Sequence, residues 1–281
     1  MFKNLDSAAL GVPGHGSDVI ELALTYRFAA IEVDMKSIAQ ARSKGTSYAI
    51  RLIKSSKLHV STFSLPIDWD ADDDAFQKEL KKLPELTECA QELGCTRCTS
   101  TLAPASDLRP YHENFETHRK RIQTVATVLQ PAGIRLGIGF HAAESLRRGR
   151  AFQFIHDLDA LNLLVSMVAM PNVGLLIDTW NVVASGGSVE SVGKLTGQQV
   201  VAVQVADMPA DVALADLDEK SRLLPSSEDG RVDNRAFLAA LRQAGYEGPV
   251  TAKPSNAALA GRSREQVFKE VSETLDALMN C

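Results

Sequence analysis

Residues 173–205 read VGLLIDTWNVVASGGSVESVGKLTGQQVVAVQV. Two runs within this stretch, Val173–Asp178 and Val200–Val205, are apolar at nearly every position rather than at alternate ones. A strand of that kind is buried on both faces, as in a parallel sheet covered by helices. A short helix is expected between them, over about 189–195, and a strand–helix–strand unit joins parallel neighbours.

The alternation continues outward in both directions. Toward the N-terminus, strands are expected at about 8–12, 29–34, 58–65, 96–102 and 135–141. Helices are expected at about 17–26, 38–55, 74–93, 114–129 and 152–167. Toward the C-terminus, a strand at 249–252 lies between helices at about 234–244 and 264–279. Pro66 stops the third strand, and Gly94 suits the left-handed end of the helix before it. The longest stretch without structure covers about 208–231. This makes eight strand–helix units of roughly 35 residues each, enough to close a parallel sheet into a ring. The expected fold class is α/β, a (β/α)8 TIM barrel, as a single domain over 1–281. An open doubly wound sheet is the alternative. It lacks support because Gly11-Val12-Pro13-Gly14-His15-Gly16 does not have the GxGxxG spacing of a phosphate-binding turn.

Composition narrows the function classes. The 281 residues are 45% hydrophobic and carry a formal net charge of -5. An acidic chain is a poor match for nucleic acid, which needs clustered Lys and Arg. The one dense basic run, Arg147-Arg148-Gly149-Arg150, reads as a solvated loop or helix start. No apolar run reaches the roughly 18 residues of a membrane span, and the first residues lack the apolar core of a signal peptide. The expectation is a cytoplasmic protein with no membrane and no nucleic-acid partner. Of the four cysteines, Cys95 and Cys98 form a CxxC pair with no second pair and no His cluster beside it. They read as small residues at the start of a buried strand rather than a zinc or redox site. His15, His59, His112, His118 and His156 show no metal-ligand spacing.

In a barrel of this kind the site lies at the C-terminal ends of the strands. The polar residues there are Glu32 and Asp34, His141 and Glu144, Asp178, Trp180 and Asn181, Gln204 and Asp207, and Lys253. Trp69 and Arg222 are candidates to arrive from loops. Glu32 and Asp34 alternate along a strand and so face opposite sides. Glu32 is expected inside the barrel, and Asp34 at the start of the next helix.

These segments resemble the xylose isomerase-like, sugar phosphate isomerase/epimerase barrels. The resemblance is carried by RLGIGFH at 135–141, VGLLIDTWN at 173–181, VVAVQVAD at 200–207 and GYEGPVTAKPS at 245–255. PIDWD at 66–70 and RLLP at 222–225 add to it. It implies the barrel fold, a small polar metabolite such as a sugar or polyol, and a family in which homo-oligomers are common. It also implies one divalent ion (Mn, Mg or Zn) held by a Glu, an Asp, a His and a second Glu. Those four positions fall on Gly139, Asp178, Gln204 and Lys253, and the family's His three residues past the Asp falls on Asn181. Only Asp178 is kept, and the formal charge of the set moves from about -3 to about 0, which a hard cation does not favour. The expectation is therefore no cofactor, with Lys253 paired to Asp178 and to Glu32.

Three readings stay open. In the first, the barrel binds a sugar- or polyol-like ligand at a degenerate, metal-free site. In the second, an isomerase or epimerase works from a rebuilt site, with Lys253, His141 and Glu32 as catalytic groups. In the third, a divalent ion persists on shifted ligands drawn from His141, Glu144, Asp178 and Gln204. In the first two, Trp69, Asp178, Trp180, Asn181, Gln204, Asp207 and Arg222 are the expected ligand contacts. A non-catalytic scaffold or regulatory role has no positive feature in the sequence.

Overall fold

The computed structural model describes residues 1–12, 16–225 and 230–280; His15 and Cys281 lie outside the described residues. Eight strands form the sheet: β1 (Phe2–Leu5), β2 (Ala30–Glu32), β3 (His59–Ser64), β4 (Arg97–Leu102), β5 (Arg135–Phe140), β6 (Val173–Asp178), β7 (Val200–Val205) and β8 (Pro249–Ala252). All are parallel and each pairs with its neighbours in the chain. Lys3 opposite Val250 and Asn4 opposite Thr251 join β1 to β8 and close the ring. This is the expected (β/α)8 barrel in one domain, and closure leaves no sheet edge exposed. The continuous apolar strands β5, β6 and β7 are buried almost throughout, as their composition requires. Among the described residues, no helix is long and apolar enough to cross a membrane.

Acidic residues start many of the helices. The carboxylates of Asp34, Asp72, Asp157, Asp178 and Asp233 each accept the backbone N–H three residues on. Each satisfies a donor that the first helical turn leaves free. Asp34 thus takes the capping role expected of it.

Four expectations are corrected. The first strand is Phe2–Leu5, whereas 8–12 forms a turn in which the N–H groups of Leu10 and Val12 both donate to Ser7 O. Hydropathy passes over β1 because Lys3 and Asn4 sit in it. The helix expected at 38–55 is two, Met35–Ser43 and Tyr48–Ser56, broken where Gly45 takes φ +80°. The helix expected at 74–93 divides into Asp73–Leu80 and Leu83–Glu92, with Pro84 in the first turn of the second piece. Residues 152–153 pair antiparallel with Ala105–Ser106, so the helix after β5 begins only at Leu158. A further short helix, Thr179–Ala184, follows β6 directly. The long stretch after β7 is an ordered strap in its described parts. Asp207 and Leu223 exchange backbone hydrogen bonds, and two 3-10 turns, Leu214–Asp216 and Glu219–Ser221, lie within it.

Cys89, Cys95 and Cys98 are buried, unpaired thiols. Burial pushes the Cys95 thiol up to about 12, which removes the thiolate that redox or metal chemistry requires. The structural reading of the CxxC pair fits this environment.

Candidate functional site

The strand ends open into a cavity of about 820 Å³. Its wall carries hydroxyl and amide groups from four strands or strand ends: Ser64, Ser100, Thr101, Asn181 and Gln204 among them. Charged groups sit in two clusters, one around Arg222 and one around Lys253.

The first cluster is built around Arg222, which the strap after β7 delivers to the mouth. Its Nη1 donates to Asp178 Oδ2 at 2.9 Å and its Nε to Glu219 Oε2 at 2.6 Å. Asp178 and Arg222 are both more than 90% buried. Burial opposes the charge of Arg222, but Asp178 and Glu219 outweigh it and raise its pKa. The guanidinium also lies 4.7 Å over the ring of Trp180, a cation–π contact. Glu219 continues the chain of contacts: its Oε1 faces His141 Nδ1 at 3.2 Å, and His141 Nε2 faces Thr101 Oγ1 at 3.1 Å. Burial would push Glu219 up, yet the hydrogen bond from His141 and the charges of Arg222 and His141 prevail and hold it down at about 2. An ionised Glu219 can only accept, so His141 carries a proton on Nδ1 and turns Nε2 toward Thr101.

The second cluster gathers Lys253, Asp6 and Glu32. Lys253 follows β8 and donates to Asp6, which follows β1. Glu32 ends β2 and accepts from Thr62 Oγ1 at 3.2 Å and Ser64 Oγ at 3.0 Å. Burial pushes the Glu32 carboxyl up, Lys253 pulls it back, and Asp6 adds to the rise; the net direction is upward. Lys253 moves upward too: burial disfavours its charge, but Glu32 and Asp6 outweigh that, with Asp178 adding further. It therefore stays an ammonium, which is neither nucleophile nor base. Incubation with dihydroxyacetone and borohydride is expected to leave Lys253 unmodified by peptide mass spectrometry; a trapped adduct on Lys253 would show that it sheds its proton in the site.

The expected site residues separate into those the cavity collects and those it does not. His141, Asp178, Asn181, Gln204, Arg222 and Lys253 all line it. Glu32 borders a smaller recess of about 190 Å³ that shares Ala8 and Ser64 with the main cavity. Trp69 lines an adjacent lobe. Trp180 is fully buried beneath Arg222, so it carries the guanidinium and offers no face to a ligand. Asp207 faces away from the cavity: its Oδ1 accepts the N–H groups of Met208, Arg231 and Val232, anchoring the far end of the strap. Glu144 is absent from the cavity wall and pairs with Arg148. The expected pairing of Lys253 with Asp178 and Glu32 is also corrected: Arg222 takes Asp178, Lys253 donates to Asp6, and Glu32 and Asp178 act on Lys253 through their charge. Asp6 is not among the expected residues because the expected first strand, at 8–12, lies past it; with Phe2–Leu5 as β1, Asp6 stands at a strand end. Glu219 had one readable signal, its i,i+3 spacing to Arg222.

The fold and the site together identify the chain's kin. The chain belongs to the xylose isomerase-like TIM barrel family, whose model matches residues 15–278; this is a sugar isomerase/epimerase-like family. An inosose isomerase of Bacillus velezensis is 20% identical over 210 residues, 74% of this chain and 71% of that protein. A xylose isomerase domain protein from Alicyclobacillus acidocaldarius superposes with a TM-score of 0.89 at 26% identity, covering 100% of this chain and 98% of that one. The IOLI protein with a bound zinc atom superposes with a TM-score of 0.84 at 15% identity, again over 100% and 98%.

The family implies a divalent ion, and the residues present do not fit one. Of the four ligand positions only Asp178 keeps an acid, and that acid is ion-paired to Arg222. A side chain at Gly139 would start 3.0 Å from Leu176 Cδ2 and 3.1 Å from Thr101 Cγ2, so the first Glu position is filled by neighbours. Among the described residues, no three or more of His, Cys, Asp and Glu are placed to share an ion.

Proposed function

We propose that this barrel binds a small sugar- or polyol-like metabolite at its strand ends without a divalent ion, using Arg222 and Lys253 as built-in cations. The observation that carries the reading is the buried Arg222–Asp178 ion pair at 2.9 Å. It engages the one acid kept from the family's ligand set with a guanidinium. A ring of hydroxyls and amides around a cavity of this size suits a neutral, hydroxyl-rich ligand, whose groups both donate and accept. The test combines elemental analysis with calorimetric titration of myo-inositol, glucose and xylose. The expected result is no stoichiometric ion in the purified protein, and the same sugar affinity in EDTA as in Mn²⁺. A stoichiometric ion, or affinity that returns only with Mn²⁺, would overturn it.

The upward shift of Glu32 favours a second reading, that proton transfer takes place here. A carboxyl raised above its ordinary range is suited to acid–base work, and His141 lines the adjoining main cavity. In that case Glu32→Gln abolishes exchange of the sugar's α-carbon hydrogen with D₂O, read by NMR, while leaving the fold intact by circular dichroism. Exchange at the native rate in the Gln variant would remove Glu32 from that role.

A further inference from the structure

We propose that His118 and Asp70 form a proton-operated latch beside the site: when the buried imidazole takes up a proton, its Nε2–H bonds to Asp70 and fastens the segment that carries Trp69. The latch goes beyond the reading of the main cavity as a sugar site and does not depend on it.

It is built on one helix, Tyr111–Leu129. His118 is wholly buried there, with its ring 4.8 Å from that of Phe154. Its Nδ1 lies 2.8 Å from the backbone carbonyl oxygen of Asn114, one turn back. A carbonyl oxygen only accepts, so Nδ1 carries a proton and Nε2 of the neutral ring is a bare acceptor. Among the described residues Nε2 has no hydrogen-bond partner. What faces it is the Asp70 carboxylate, with Oδ1 at 3.8 Å. Two acceptors make no bond, and that separation is beyond hydrogen-bond range. A proton on Nε2 turns the same two atoms into donor and acceptor, and a charge-assisted bond closes to about 2.7–2.9 Å.

Burial weighs most on the imidazole and holds its pKa below the ordinary value. The Asn114 carbonyl and Asp70 favour the proton, while Arg121 and Arg109 oppose it. The latch therefore closes on the acid side of about 6.5, the ordinary histidine value. Asp70 is able to make the move. Its side chain is 35% exposed, and its carboxylate has no other ion pair or hydrogen bond among the described residues.

What the latch fastens borders the site. The next turn of the same helix supplies Arg121, which donates to the carbonyls of Trp69 and Ala71, each at 2.7 Å, and pairs with Asp73 at 2.6 Å. The helix thus grips the backbone on both sides of Asp70 and leaves the carboxylate between them unheld. The indole Nε1 of Trp69 donates to Ser100 Oγ at 2.8 Å, and Ser100 lines the main cavity. Trp69 and Asp70 border the adjacent lobe, which shares Thr101, His141 and Glu219 with that cavity. A shift of Asp70 toward the helix is therefore passed to the Trp69–Ser100 hydrogen bond.

The experiment follows the indole N–H signals of the full chain by NMR from about pH 8 to about pH 5, across the ordinary histidine value. The chain has two tryptophans, and Trp180→Phe tells their signals apart. The Trp69 signal is expected to shift together with the His118 ring protons, with a midpoint below about 6.5. Asp70→Asn should abolish that shift, because an amide N–H bonds to the neutral Nε2 and holds the latch shut at every pH. His118→Phe removes the proton's site and should abolish it too. If circular dichroism shows that variant to be unfolded, Asp70→Asn carries the test alone. A Trp69 signal that stays fixed in the native chain, or one that shifts as before in Asp70→Asn, would overturn the latch.

Discussion

Replacing Arg222 by methionine is expected to destabilise the protein by about 3–5 kcal/mol, the usual cost of removing one partner from a buried ion pair. The guanidinium stands between Asp178 and Glu219, and its loss leaves Asp178 ionised, more than 90% buried and without a cation on its Oδ2. Methionine keeps much of the apolar contact with Trp180, so the effect reports the charge rather than a cavity. The double variant Arg222→Met with Asp178→Asn should recover about 2 kcal/mol, because the stranded charge is gone while an amide oxygen can still cap Asn181 N–H. Urea unfolding of the native, single and double variants measures both steps. A single variant within about 0.5 kcal/mol of native, the size of an ordinary surface change, would mean that the pair does not hold Asp178.

Lys253→Met should cost about 3 kcal/mol at neutral pH, for the same reason in the second cluster. There the stranded groups are two, Asp6 and Glu32, and the consequence depends on pH. Burial already raises the Glu32 pKa above its usual value, and losing the ammonium raises it further. An acid whose folded pKa lies above its unfolded one contributes stability that is present below the unfolded value and lost as pH rises through the folded one. The deficit of the methionine variant is therefore largest at pH 7.5 and shrinks as pH falls toward about 4.5, where carboxylates take up protons. Thermal unfolding of native and variant at the two pH values checks this. A deficit that does not change with pH would show that Lys253 serves packing and not the carboxylates.

Glu219 behaves in the opposite sense. Its pKa is depressed to about 2 from 4.5, so its contribution is present above the unfolded value and lost as pH falls through the folded one. Acid therefore loosens the Arg222 cluster while relieving the Lys253 variant.

Much of the barrel was legible in the chain because its strands are buried on both faces. That condition writes itself as continuous apolar runs, and β6, β7 and β8 fall where those runs predict. The final helix is likewise Arg264–Met279, its start marked by the capping Ser263 and Gln266. β1 escaped this logic. Its Lys3 is satisfied by Asp276 at 2.7 Å and its Asn4 by Thr251 at 2.9 Å, partners from the other end of the chain that no local pattern reveals. The candidate site divides in the same way. Strand-end position was enough to nominate His141, Asp178, Gln204 and Lys253, all of which line the cavity. It could not show that Trp180 lies under Arg222 or that Asp207 turns back to hold three backbone N–H groups.

The sequence by itself determined that eight barrel strands alternate with helices and, for β2 and for β5 to β8, which polar groups stand at their ends, since burial and periodicity are local properties of the chain. The partnership of the charges was decided only by the tertiary structure. Lys253 and Asp6 lie 247 residues apart, and Arg222 and Asp178 lie 44 apart across an irregular strap. Ring closure sets the first strand beside the last, and the strap lays a guanidinium over the cavity. Those two placements give Asp6 to the lysine and Asp178 to the arginine, because an ion pair depends on distances of a few ångströms that only the assembled barrel defines.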